Sequence, residues 1–270
     1  MISLNSFAAD ETVRQPAVAD QFYPGRTDSL KNEVDQFMAS GPKIASNPVM
    51  LISPHAGYVY SGPVAGKGYA TINKNIKTVI IIGPSHHVSF AGLCISDVDF
   101  YQTPLGKVPL EKTIISKLRK SPLVHVIHPA DDSEHSIEVQ VPFLQERLSS
   151  FSIVPIITGR VDPAVVATLV CPFVNEMTLI VASSDLSHFY RSQEAKEIDA
   201  RTIHTILSGD ADGFLDACGE TPIRVVMHCA KQLNLAPELL DARNSFETAP
   251  RYGSEDRVVG YASIVYLKKK

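Results

Sequence analysis

Val79-Ile80-Ile81-Ile82-Gly83-Pro84-Ser85-His86-His87 is a short apolar run that breaks on glycine and proline and then delivers histidine. The pattern recurs in Val49-Met50-Leu51-Ile52-Ser53-Pro54-His55 and in Leu179-Ile180-Val181-Ala182-Ser183-Ser184-Asp185-Leu186-Ser187-His188. A run rich in Val, Ile and Leu without polar alternation reads as a strand buried on both faces of a parallel sheet. Open α/β sheets bind ligands just beyond the carboxyl ends of their strands. Three strands that carry imidazole past that edge predict one convergent site, and converging imidazoles predict a metal.

Outward from these runs, strand patterns alternate with helix patterns. Residues 1–47 read as a leader: an irregular start, Pro16-Ala17-Val18-Ala19-Asp20-Gln21-Phe22-Tyr23-Pro24, and a helix over 28–39 that Asp28 or Thr27 can cap. A strand at 49–53 leads to a helix from about Pro63, and a second strand covers 78–82. Residues 92–109 read as two shorter strands around Thr103-Pro104-Leu105-Gly106. Helices are expected at 111–119 and 134–149, a strand at 152–157, a helix at 163–174 and the third histidine strand at 178–182. Helices at 192–207, 211–217 and 222–233 follow, with strands near 237–241 and 258–267. This alternation predicts a three-layer α/β/α sandwich with a mostly parallel central sheet, in a single domain over 1–270.

A chain of 270 residues can bury a large core. Its apolar fraction of 44% and charged fraction of 20% are those of a soluble globular protein, and its net charge of -4 gives no reason to expect nucleic acid as a partner. The basic run Lys268-Lys269-Lys270 reads as a solvated end. The apolar runs fall well short of the roughly 20 residues needed to span a bilayer. Met1-Ile2-Ser3-Leu4-Asn5-Ser6-Phe7 lacks the features of a signal peptide, so a cytoplasmic protein without membrane partners is expected. The four cysteines have no CxxC spacing and are expected as free thiols, with Cys94, Cys171 and Cys229 as packing residues.

Several residues can carry chemistry. His55 follows Pro54, which stiffens the strand exit, and precedes Gly57, which permits a tight turn. His86 and His87 point different ways beyond their strand, and His86 is assigned inward. Asp185 and His188 lie three apart, so a turn places them on one side, where the carboxylate can bind metal, orient an imidazole or move a proton. Cys218 precedes Thr221-Pro222, a helix start whose positive potential stabilises a thiolate. His135 sits in Asp131-Asp132-Ser133-Glu134-His135-Ser136-Ile137-Glu138, where the acids suit a helix start but a cation does not; a neutral imidazole there can donate or accept a proton. His125, His128, His204 and His228 read as structural or surface residues. The signatures of serine hydrolases, P-loop nucleotide hydrolases, HExxH metalloproteases and dinucleotide enzymes are missing.

Pro54-His55-Ala56-Gly57-Tyr58, Gly83-Pro84-Ser85-His86-His87, Glu134-His135-Ser136-Ile137-Glu138, Ser183-Ser184-Asp185-Leu186-Ser187-His188 and Val259-Gly260-Tyr261-Ala262 together resemble the Memo family. The leader Pro16–Pro24 is similar to the start of bacterial and archaeal members, and the likeness runs in order over nearly the whole chain. The resemblance implies a fold like that of the class III, LigB-type extradiol dioxygenases, in which two histidines and a glutamate hold ferrous iron. Carried onto this chain, it implies a pocket of His55, His86 and Cys218 with Asp185 and His188 alongside. Cys218 stands where the dioxygenases place a carboxylate, which argues against ordinary catechol cleavage. A thiolate is softer and favours copper, zinc or a differently tuned iron. The resemblance also implies AMMECR-type and radical SAM proteins as partners, in a so-called AmmeMemoRadiSam system. For animal relatives it implies links to cell motility and to copper or iron redox chemistry.

Three function classes fit these residues. One is a metal-dependent oxidoreductase: His55, His86 and Cys218 hold iron(II) or copper, with zinc also acceptable, while Asp185 and His188 complete the site and His135 handles protons. A second is a binding module that keeps the pocket without the reaction and holds a small molecule, a peptide, a phosphorylated ligand or a partner protein. The third is a zinc hydrolase with Asp185 or His135 as general base.

Overall fold

The computed structural model describes residues 11–269; the expected irregular start at 1–10 and Lys270 of the basic tail lie outside the described residues. The strands are β1 (Val13–Arg14), β2 (Met50–Ser53), β3 (Thr78–Pro84), β4 (Leu93–Ile95), β5 (Phe100–Thr103), β6 (Gly106–Pro109), β7 (Val124–His125), β8 (Ser152–Thr158), β9 (Thr178–Ser183), β10 (His188–Tyr190), β11 (Leu235–Asn244) and β12 (Val258–Lys268). The helices are α1 (Thr27–Met38), α2 (Tyr58–Tyr69), α3 (Lys112–Leu118), α4 (His128–Asp131), α5 (Val141–Arg147), α6 (Pro163–Val170), α7 (Ser192–Ser208), α8 (Glu220–Gln232) and α9 (Ser245–Thr248).

The large sheet runs in the order β10-β12-β2-β9-β3-β8-β4-β7, with β11 also paired to β12. Its centre is parallel: β9 lies between β2 and β3, and β8 follows β3. Residues 50–52, 79–82 and 179–182 of the three histidine strands expose no surface, as strands covered on both faces require. The sheet as a whole is mixed, which corrects the expectation of a mostly parallel one. β12 runs antiparallel to β2, β10 and β11, and β4 runs antiparallel to β8. Parallel neighbours need a crossover of a dozen residues or more. The segments β2–α2–β3 and β8–α6–β9 supply one in the centre, and the stretch from β4 through α3 to β7 supplies one at the edge, where β7 is parallel to β4. Along β12, Ser263 meets α2 at Gly68 while Gly260 meets Asp199 of α7. Strand residues three apart point to opposite faces, so the helices cover both sides of the sheet.

Five local expectations are corrected. α1 begins at Arg26–Thr27 without a side-chain cap, because the Thr27 hydroxyl donates instead to the Pro104 carbonyl at 2.8 Å. α2 begins at Tyr58, so Pro63 lies inside it rather than at its start. The helix expected over 134–149 is confined to α5, after a short 3₁₀ turn at Glu138–Gln140. Pro142 has no N–H to give and fits only a first helical turn, while the carboxylate of Glu134 takes the N–H groups of His135 and Ser136. Residues 211–217 form no helix, because Arg224 of α8 donates to the carbonyls of Ala211 and Gly213. Cys171 and Cys229, expected as free thiols, are joined in a disulfide; α6 and α8 pack side by side and bring their Cα atoms to 5.6 Å. Cys94 and Cys218 are the free cysteines.

A buried ionic cluster ties the leader to the body of the fold. Arg14 Nη1 donates to Glu138 Oε2 at 2.8 Å, Nε to the Asp131 carbonyl at 3.0 Å and Nη2 to the Glu134 carbonyl at 2.5 Å. Glu138 also accepts from the Ala17 and Val18 N–H groups at 2.7 and 3.0 Å and from the Tyr23 hydroxyl at 2.5 Å. Tyr101 of the small sheet β1-β5-β6 donates to Asp131. The segment 131–138 is thus held from several directions by groups out of water.

Two outcomes are expected. Glu138→Ala removes the nearer of the two carboxylates paired with buried Arg14, Asp131 Oδ1 remaining at 3.6 Å, and lowers unfolding stability by roughly 3 kcal/mol, read by urea titration. Unreduced, denatured protein titrates two thiols with a thiol reagent, against four after reduction.

Candidate metal centre

β2, β9 and β3 are adjacent and parallel, with Ser53 opposite Ser183 and Ile82 opposite Ala182, so their carboxyl ends share one edge. The turns beyond that edge carry His55, Asp185 and His86. His55 is 2% exposed. Its backbone N–H and that of Ala56 donate to Asp185 Oδ1 at 2.8 and 3.3 Å, which binds the turn after β2 to the turn after β9. The turn after β9 is held in place by β12: Leu186 N–H donates to Gly260 O at 2.8 Å, and Gly260 N–H donates to Ser187 O at 2.9 Å.

Glu134 organises the turn after β3. Its Oε2 accepts the His86 N–H at 2.7 Å, and its Oε1 accepts His86 Nδ1 at 2.9 Å with the N–H groups of His135 and Ser136 at 2.9 and 2.8 Å. Burial works to raise this carboxyl, but the His86 ring and the backbone donors outweigh it and hold the pKa at about 2. An ionised carboxylate only accepts, so His86 Nδ1 carries a proton, and Nε2 is the nitrogen a neutral ring has free for a ligand. Gly83 makes the approach possible: a Cβ there would lie 2.4 Å from Ser136 Oγ.

Cys218 arrives from the loop before α8. Gly219, the N-cap of α8, donates its N–H to Ser184 Oγ at 2.9 Å, and a Cβ on Gly219 would lie 2.5 Å from Ser184 Cβ. This close approach sets Cys218 Sγ 3.1 Å from His55 Nε2. Burial, followed by the nearby Asp185 carboxylate, pushes the thiol well above its ordinary range.

The structure therefore brings His55, His86 and Cys218 together, with their donor atoms within 4.8 Å of one another. A second group, His86, Glu134 and His135, meets the same spacing, but its carboxylate already accepts four N–H groups. His135 stacks on His86 with ring centroids 4.4 Å apart and touches Phe22 at 4.7 Å. Burial, then the neighbouring His86, lowers its pKa to about 4. Asp185 lies buried beneath the His55 turn, and burial raises its pKa to about 6. His188 lies half-buried on β10, outside both donor groups. The His86 ring faces Cys218's partner His55 at a centroid distance of 5.1 Å, and His86 and His87 both line an open cleft of about 490 Å³ with Phe90, Arg160, Cys218 and Thr221.

Residue-by-residue reading missed the roles of Glu134 and Ser183. Glu134 looked like a helix-start acid, and its sole distinguishing signal was direct adjacency to His135. Ser183 reads as part of the third strand's exit, whereas its hydroxyl lies 2.9 Å from His55 Nδ1.

The depressed pKa of Glu134 makes its contribution to stability pH-dependent. The unfolded chain takes up this proton near pH 4.5 and the native protein only near 2. The stability advantage of wild type over Glu134→Gln is therefore full above pH 4.5 and shrinks as pH falls to about 2, measured as the difference in urea midpoints.

Among the described residues no helix is long and apolar enough to cross a membrane. The Memo family, described as Memo-like protein, matches residues 14–265. The chain is similar to a MEMO1 family protein of Thermoplasma volcanium, 35% identical over 95% of this chain and 99% of that one. It is similar to a MEMO1 family protein of Methanosarcina mazei at 36% identity over 94% and 98%, and to one of Methanocaldococcus jannaschii at 32% over 94% and 98%. The match spans the turns that carry His55, His86, Glu134, Asp185 and Cys218 together with the β12 segment that holds them, and the chain belongs to the Memo family.

Proposed function

We propose that this protein binds one metal ion through His55 Nε2, His86 Nε2 and Cys218 Sγ, in a non-haem, extradiol-dioxygenase-like pocket that serves oxidoreductase chemistry. The observation that carries this reading is the convergence of two imidazoles and one thiol within 4.8 Å at the carboxyl edge of a parallel strand trio. The donor set fits a metal. Glu134 turns the bare nitrogen of His86 outward, and the buried carboxylates of Glu134 and Asp185 offset cationic charge. Three protein ligands leave positions for exogenous ligands. Two imidazoles with a thiolate suit iron(II) or copper, and zinc is also acceptable.

A bound iron or copper would supply Lewis acidity and electrons. The chain's own residues do the rest. Asp185 holds the His55 turn through two backbone N–H groups. His135, neutral above about pH 4 and stacked on His86, accepts or releases a proton beside the centre. The cleft lined by His87, Phe90, Arg160 and Thr221 admits a small organic or peptide ligand next to Cys218. Cys218 replaces a carboxylate with a softer donor, so the reaction differs from catechol cleavage.

Anaerobic reconstitution with iron(II), copper(I) and zinc tests the reading by stoichiometry and spectra. One metal per chain is expected. His55→Ala and Cys218→Ala should each weaken binding beyond the roughly 10–100-fold that loss of a supporting residue causes. Ligation removes the Cys218 proton, so affinity should rise by roughly tenfold per pH unit while the free thiol is protonated. Stoichiometric binding unchanged in both variants would overturn the assignment.

A further inference from the structure

We infer that Ser183 is a positioning residue that locks His55 in the Nδ1–H tautomer and so keeps its Nε2 bare toward Cys218. Ser183 Oγ has three neighbours: the Ser136 carbonyl at 2.5 Å, Gln140 Nε2 at 2.7 Å and His55 Nδ1 at 2.9 Å. A carbonyl can only accept, so the single hydroxyl hydrogen of Ser183 goes to Ser136.

The Gln140 amide has only one orientation that satisfies its own partners. Its Nε2 lies 2.9 Å from the Pro54 carbonyl, which needs a donor, and its Oε1 accepts the Tyr69 hydroxyl at 2.7 Å. The second amide hydrogen therefore points at Ser183 and occupies one lone pair of the hydroxyl oxygen. What remains for His55 is the other lone pair. His55 Nδ1 must donate to it, and the bare Nε2 then faces Cys218 Sγ at 3.1 Å.

Ser183, Gln140 and His55 are fully or almost fully buried, so water offers no competing partner. The two histidines are thus held by unlike devices: His86 by an ionised carboxylate, His55 by a neutral hydroxyl whose proton is committed elsewhere. The consequence for metal affinity rests on the metal-centre reading above; the tautomer does not.

Nitrogen NMR of the metal-free protein tests the lock directly, with the His55 ring assigned by its loss in His55→Asn. Wild type should show a protonated Nδ1 and a bare Nε2. Ser183→Ala, with its fold checked by circular dichroism, should shift protons toward Nε2 and weaken zinc binding by roughly 10–100-fold. A wild-type spectrum with the proton on Nε2 overturns the inference, whether or not the variant folds. An unchanged tautomer and affinity in Ser183→Ala overturn it as well. Should wild type show the expected tautomer yet bind no metal, the metal-centre reading falls while the lock stands.

Discussion

One arm of the candidate site, the His86 turn, hangs on a charge that cannot reach water. Arg14 is buried against Glu138, and its remaining N–H groups are spent on carbonyls of Asp131 and Glu134. A buried guanidinium without its carboxylate is costly, so the leader strand and the segment 131–138 stay together. That segment adopts a turn rather than a helix. The turn frees the Glu134 side chain to grip His86 and the Glu138 side chain to grip the leader. An ion pair remote from the donor atoms therefore sets where one of them points.

The parallel centre of the sheet does the complementary work. Because β2, β9 and β3 are neighbours in register, their turns are delivered side by side, and each can be tied to the next. Asp185 ties the His55 turn to the β9 turn, Ser183 meets the His55 ring, and Ser184 receives the start of α8. Cys218 reaches the cluster through that last contact rather than from a strand of its own. The mixed flanks are part of the same construction, since β12 pairs with β2 and also pins Leu186 and Ser187 through Gly260. Rigid elements on several sides leave the donor atoms little freedom, and preorganised donors of this kind lose little on binding a ligand.

Much of this was legible in the chain. The three apolar runs, their break on proline or serine and the histidines beyond them follow from local composition, because a doubly covered strand has to be continuously apolar. The motifs around His55, His86, His135, Asp185 and Gly260 also carried the family resemblance. Other features were hidden. The pattern at 134–149 has helical apolar spacing, but Pro142 and the carboxylate of Glu134 override it. Arg224 dissolves a second helical pattern at 211–217 from outside it. The Cys171–Cys229 bond depends on α6 lying beside α8, which no spacing reports.

Although His188, expected beside His55 and His86, lies on β10 outside the donor group, the sequence by itself determined the long central strands and the imidazoles of His55 and His86 past their edge. Those are consequences of nearest-neighbour chemistry and the burial each residue demands. Only the tertiary structure decided that the sheet is mixed, that Glu134 serves His86 rather than a helix, and that Ser183 faces His55 Nδ1. Each of those depends on groups roughly 50 to 130 residues apart meeting at a few ångströms, and hydrogen bonds are too short-ranged for such a meeting to be read from order along the chain.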